Sequence, residues 1–198
     1  MNQGAPTVVE MQTQRLRLRA VRHADAAALF AIHSDAQAMR YFGADPASSL
    51  EDAHGLVARF DAMRHSDMPG LRWAIEDGET GALLGTCGLF NHSKRWRKCM
   101  VGYELARSAW GRGVMSEAVS AVLTWGFDAW SLNRIEALIH PLNAASLKLV
   151  QKFGFQLEGT ARQIAYWGQA YHDMQQWSLL RSEFLPKHSF SISTGVLS

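Results

Sequence analysis

The 198-residue chain reads as a single α+β domain, a three-layer α/β arrangement in which a mixed β-sheet is flanked by helices. Three observations predict this. Strict alternation of apolar and polar residues marks half-buried strands, most clearly in Arg15-Leu16-Arg17-Leu18-Arg19. Apolar residues at helical spacing mark amphipathic helices, most clearly over residues 116–130, where Ala118, Ala121, Val122, Trp125 and Ala129 share a face. The two patterns interleave in the order β-α-α-β-β-β-α-β-α-β-β, which calls for both parallel and antiparallel neighbours.

Residues 1–12 carry Gly, Pro, Gln and Thr with little periodicity and are expected to be a loose leader. The alternating strand follows. Residues 23–34 are alanine-rich, with Leu29 and Ile32 on one helical face. The next helix opens with Ser48 and Glu51 at capping-box spacing and continues through Leu56, Val57, Phe60 and Met63. Residues 71–76 and 82–90 are strands around a turn at 77–81, and residues 99–105 form another. The 116–130 helix leads to a strand at 134–140. Asn143 is a good N-cap for a helix ending at Phe153, and Gly154 suits the left-handed residue that terminates it. Residues 156–166 and 173–180 read as a closing hairpin across Gly168. The Ser-rich stretch 186–198, after Pro186, reads as a frayed tail, which leaves 13–185 as the folded domain.

Composition narrows the function. Apolar residues make up 47% and charged residues 19%, enough for a core and unlike a disordered chain. A net charge of +2 gives no basic stripe, and the run Lys94-Arg95-Trp96-Arg97-Lys98 reads as a solvated loop before a strand, so no nucleic-acid partner is expected. Cys87 and Cys99 lie in apolar stretches and read as reduced core thiols of a cytoplasmic protein. No signal peptide and no stretch long enough to span a bilayer is seen, so no membrane partner is expected. The eight histidines form no HExxH or His/Cys cluster, so no metal site is expected. Trp73, Trp125, Trp130 and Trp177 fall within core elements, whereas Trp167 is placed to border a substrate pocket.

The chemistry-bearing feature is the loop between the 99–105 strand and the following helix. It contains Gly111 and Gly113 around Arg112. A helix start offers backbone N–H groups without partners and a partial positive charge, and glycines let the chain close around an anion. A plain strand-to-helix turn is the competing reading. A Walker A loop is excluded because GxxxxGK[ST] is absent. A dinucleotide fingerprint is nearly present in Gly111-x-Gly113-x-x-Ser116 with Glu136 downstream, but Glu136 sits at the wrong end of its strand for a ribose contact.

Three segments together resemble the GNAT superfamily of N-acetyltransferases, most nearly its RimJ/RimL-like branch of ribosomal-protein N-terminal acetyltransferases. They are Val101-Gly102-Tyr103-Glu104-Leu105 with Trp110-Gly111-Arg112-Gly113 and Glu117-Ala118; Arg134-Ile135-Glu136-Ala137 with Pro141, Asn143, Ser146, Gly154-Phe155 and Glu158-Gly159; and Tyr171-His172-Asp173-Met174 with Ser178-Leu179-Leu180. The opening from Thr13 to Arg19 is similar to the same branch. The resemblance implies the GNAT-type acyl-CoA N-acyltransferase fold, with a splayed central sheet, and acetyl-CoA as co-substrate. It places the pyrophosphate on Trp110, Gly111, Arg112, Gly113, Val114, Met115 and Ser116. It lays the pantetheine arm against backbone near Glu104 and Leu105, and the acetyl group near Tyr103 and the helix that carries Asn143 and Ser146. Trp110 replaces the family's Gln or Arg, and Met115 replaces a small residue and is expected to narrow the cradle.

Direct attack of a neutral amine on the thioester needs juxtaposed substrates, an oxyanion donor, a route for the amine proton and a partner for the leaving thiolate. The resemblance implies Ser146 as the thiolate partner, because the family's tyrosine one turn later is Val150 here. Ser146 bonding back to a carbonyl is the bland alternative. Asn143 combines a cap with a cofactor or water contact, and Tyr103 lines the acyl pocket or orders a water. The branch's glutamates align with Ala165 and Leu138, so the base is open between His140 and a water relay. Glu104 and Glu136 read as ion-pair partners of arginines. The acceptor pocket is assigned to residues 45–64 and the late hairpin. The acceptor is a protein N-terminus, such as that of a ribosomal protein, or a small amine. A non-catalytic CoA-binding domain and a nucleotide-binding module are the rivals, and the protein is expected to be a monomer or homodimer.

Overall fold

The computed structural model describes residues 5–193. In chain order the elements are β1 (Glu10–Gln12), β2 (Leu16–Ala20), α1 (Ala26–His33), α2 (Ala36–Met39), α3 (Leu50–Ala62), β3 (Leu71–Asp77), β4 (Leu83–Ser93), β5 (Lys98–Leu105), α4 (Val114–Ala129), β6 (Arg134–Ile139), α5 (Ala144–Lys152), β7 (Gln156–Trp167), β8 (Ala170–Leu180) and β9 (Ser191–Ser193). Among the described residues the strands form one mixed sheet in the order β7-β8-β6-β5-β4-β3-β2-β1-β9. Neighbours run antiparallel except β5 and β6, which are parallel and joined through α4. No helix among the described residues is long and apolar enough to cross a membrane.

The alternation of β3 shows how the layers form. Trp73 meets Trp125 of α4 edge to face at 5.1 Å, while its neighbour Arg72 stacks its guanidinium over Phe60 of α3 at 5.1 Å. Successive side chains point to opposite faces of a strand, so α4 covers one face and α1 with α3 the other. The main core lies under α4, where Leu89, Cys99, Val101, Val122 and Ile135 are buried together. Gly126 lets α4 settle on β4, because a Cβ there would stand 2.5 Å from Leu89 Cδ1. Ala26, Leu29 and Ala53 form a smaller cluster on the α1–α3 face.

Several expectations shift. The stretches expected to be loose at both ends supply strands: β1 pairs with β2 and β9, and Met11 is fully buried. Trp73 Nε1 also donates to the Val9 carbonyl at 2.8 Å. These strands are too short for periodicity to reveal. The capping box of α3 is Ser49 with Asp52, one residue beyond the expected pair, because Asp52 also collects the Ser48 N–H and hydroxyl. Helix α4 begins at Val114, not Ser116, since Gly113 at φ 76° is its left-handed N-cap. The last hairpin is longer than expected. Its turn puts both Gly168 (φ 57°) and Gln169 (φ 59°) in the left-handed region, as a two-residue I′ turn requires.

Candidate active site

Strands β5 and β6 pair only where they begin, through Lys98/Arg134, Cys99/Ile135 and Met100/Glu136. Beyond that point they separate. Residues 101–105 stay bonded to β4 and residues 137–139 to β8, so the outer neighbours hold the two strands apart. The gap between them leaves strand backbone free to bond an extended ligand. At its rim the Leu105 carbonyl accepts the Trp110 indole N–H at 3.0 Å, which fixes the exposed Trp110 across the turn.

The turn after β5 leaves backbone N–H groups open to an anion. Gly111 (φ 71°) and Gly113 (φ 76°) both take conformations that L side chains rarely adopt. No side chain caps α4, so the N–H groups of its first turn face the loop without an intrahelical acceptor. An acid in that turn would repel an anion, yet Glu117 lies there. Its charge is turned inward and neutralised. Oε1 accepts from Thr13 Oγ1 (2.7 Å) and the Arg15 N–H (2.9 Å), and Oε2 pairs with Arg15 Nη2 (2.7 Å). Burial alone would raise the Glu117 pKa, but the Thr13 and Arg15 donors hold it below the ordinary value. Arg15 also donates to the Arg112 carbonyl at 3.0 Å, which ties the glycine loop to the N-terminal strand. Lys152, at the end of α5, donates to Ser116 Oγ at 2.6 Å and brings an ammonium beside the helix start. Met115 is partly buried and packs against the main core.

Across the gap, Tyr103 and Ser146 approach each other. The Tyr103 hydroxyl is buried and makes no hydrogen bond of normal geometry. Burial pushes it well above the usual phenol range, and the nearby Ser146 side chain offsets part of that rise. Asn143 Oδ1 accepts the Ser146 N–H at 3.1 Å, so the cap anticipated from sequence presents Ser146 at the first turn of α5. Val150, where the family's tyrosine would stand, is core. Glu104 faces away from Tyr103 into a buried network, bonding Arg72 and Thr86, with His33 Nε2 3.5 Å off. Burial would raise its pKa, but Arg72 holds it below the ordinary value. Glu136 pairs with Arg134 at 2.7 Å and Lys98 at 3.1 Å. Both acids are therefore ion-pair partners, as the strand alternation implies.

His140 stands at the far end of β6. Its Nδ1 accepts the Leu142 N–H at 3.1 Å, so the neutral ring carries its proton on Nε2 and has no second lone pair to offer. Burial, then His172 and Arg40, lower its pKa. Its ring stacks on Tyr41 at 4.7 Å and meets Trp167 and His172 edge-on at 5.8 and 5.5 Å. Asp45 accepts the Gly168 N–H at 2.6 Å, closing the α2–α3 loop onto the hairpin tip. The two segments assigned to the acceptor pocket thus meet beside the gap. Tyr41, Lys152 and the anchoring role of Glu117 escape sequence reasoning, because each acts on a partner distant in the chain. A cavity of about 950 Å³ opens instead where β5 begins, lined by Arg64, His92, Arg97 and Trp130 among others, and it contains none of the residues expected to hold the cofactor or to act in catalysis.

A family model described as "Acetyltransferase (GNAT) domain" matches residues 15–156. The N-acetyltransferase YoaA of Bacillus subtilis (strain 168) is 36% identical over 171 residues, 86% of this chain and 96% of that protein. The N-acetyltransferase p20 of Bacillus licheniformis is 32% identical, covering 88% of this chain and 97% of its own length. A solved structure of RimL, a ribosomal α-N-protein acetyltransferase in complex with coenzyme A, superposes with a TM-score of 0.75 over 85% of this chain and 95% of its own, at 21% identity, a likeness of fold.

Proposed function

The chain belongs to the GNAT family of acetyltransferases and is an acetyl-CoA-dependent N-acetyltransferase, and from that premise we propose that it acetylates a primary amine by direct attack within the gap between β5 and β6. The carrying observation is that an uncapped, glycine-started helix and a gap of unpaired strand backbone lie at the same end of the sheet. Acetyl-CoA supplies an activated acyl group there. The α4 N-terminus, with Arg112 and Lys152 nearby, receives the pyrophosphate, and backbone around Glu104 and Leu105 receives the pantetheine arm.

The amine nitrogen attacks the carbonyl carbon, the carbon–sulfur bond breaks, and the thiolate takes a proton. The Tyr103–Ser146 pair supplies that proton. A phenol stays protonated through the neutral range, and burial beside Ser146 raises the Tyr103 pKa further, so the proton is in place when the thiolate forms. The proton of the incoming ammonium leaves through water, since His140 is held as a donor and not as a base. Backbone N–H groups of the separated strand serve the oxyanion.

A protein N-terminus is our first assignment for the acceptor, in keeping with the RimJ/RimL-like pattern at Asn143 and Ser146. Leu142, Ile164, Tyr166 and Tyr171 are large apolar residues left exposed on the α5 turn and the hairpin, a surface more suited to a polypeptide than to a small amine. The test is thiol release from acetyl-CoA across peptides and small amines. Turnover with at least one amine is expected. Tight CoA binding without turnover on any acceptor would leave a non-catalytic CoA-binding domain.

A further inference from the structure

The elements around the gap supply few free charges. Asp35 accepts from the Gln37 N–H at 2.9 Å and pairs with Arg107 at 2.9 Å. Asp45 holds the Gly168 N–H, and Asp173 holds the Gln163 N–H at 2.8 Å. Glu104 and Glu136 are engaged as described, and Glu158 is bonded by Arg134 and by Ser178 at 2.8 Å. Each of these carboxylates thus already has a donor. An acceptor with several ammonium groups would have to compete with these donors for the acids.

The cation beside the gap is in the opposite condition. Arg40 is exposed, lies with Cζ 5.2 Å over the Tyr41 ring, and pairs with no carboxylate among the described residues. Tyr41 in turn stacks on His140, whose remaining ring nitrogen carries a proton and is a donor. Guanidinium, phenol and imidazole therefore form one wall that offers an aromatic surface and two sets of N–H donors. Guanidinium forks match carboxylates in geometry, and such charge-assisted bonds exceed neutral ones in strength.

Resting on the amine-acetylation reading above, we propose that the acceptor carries a carboxylate a few atoms from its amine, and that Arg40 receives this carboxylate at the rim of the Tyr41–His140 wall. The shared chemistry is an amino carboxylate. Its source is either the acidic N-terminus of a polypeptide or a free amino acid.

Steady-state thiol release would be compared for a hexapeptide with acidic second and third residues, the same peptide with their amides, free amino acids, the corresponding amino-acid amides, and spermidine. The acidic peptide or a free amino acid should exceed its amide counterpart about tenfold in kcat/KM, and which of the two does so identifies the source. Arg40→Gln should lower kcat/KM for that acceptor about tenfold through KM, while KM for acetyl-CoA and turnover of the amide peptide stay unchanged. Arg40 is exposed, and an unchanged acetyl-CoA KM controls for folding. Equal or better use of spermidine or the amide peptide overturns the proposal, as does an unaltered acidic-acceptor KM in Arg40→Gln. Absence of thiol release with every amine is a different result and overturns the enzymatic reading itself.

Discussion

Tyr103 and Ser146 face each other from two elements, and their proximity makes a sharp prediction. Tyr103→Phe and Ser146→Ala should each lower kcat about tenfold or more, with little change in KM for acetyl-CoA. If they act as one proton-delivery unit, the double variant should be no worse than the poorer single one, which a double-mutant cycle measures. Unchanged kcat in both single variants would remove the pair from the chemistry. His140 yields a prediction about pH. Its pKa is lowered, so it is neutral above about pH 6.5, and its Nδ1 lone pair is already used. The rise of kcat/KM with pH should therefore follow the acceptor amine and persist in His140→Gln. A profile that loses this dependence in the variant would restore His140 as the base. Asn143 and Gly154 could be read from sequence because a cap and a left-handed glycine are local demands. Tyr41, Arg40 and Lys152 could not, because their roles exist only once distant segments meet.

At the scale of the element, the start of α4 depends on a carboxylate that never needs to touch a ligand. Glu117 joins Thr13 and Arg15 to the glycine loop. Glu117→Gln should cost about 1–3 kcal/mol at neutral pH, because buried donors lose a charged acceptor while the half-exposed Arg15 is re-solvated. The Glu117 pKa is below its unfolded value, so its stabilisation is complete above about pH 5 and fades as pH falls through the folded pKa. The difference in unfolding free energy between wild type and variant should thus shrink on going from pH 6 to pH 3. A constant gap would mean that the carboxylate is not the source. The β-α-β order around this helix was legible in the alternation and in the helical face. The separation of β5 from β6 was not legible in those patterns and came only from the family resemblance. It arises from pairing with β4 and β8, and a strand's sequence does not state where its partner stops.

At the scale of the whole molecule, the sheet extends further than periodicity suggested, because β1 and β9 complete the edge beyond β2. Three-residue strands carry no usable pattern, and their pairing joins the two ends of the described chain. Met11, fully buried in this edge, gives the test. Met11→Ala should destabilise by about 2–4 kcal/mol, read from chemical unfolding. An unaltered unfolding midpoint would show that the edge contributes nothing.

The strand order also governs how the molecule comes into being. During synthesis β5 is finished before β6 exists, and β6 must wait for β8, its second partner. Until then a central strand presents bare edges to its surroundings, the state in which nascent chains stick to one another. The gap cannot exist before both flanking strands are held, so the groove matures only once β8 is in place. A chain that stops short of β8 should therefore need protection from aggregation and should bind no coenzyme, however well its earlier helices have formed.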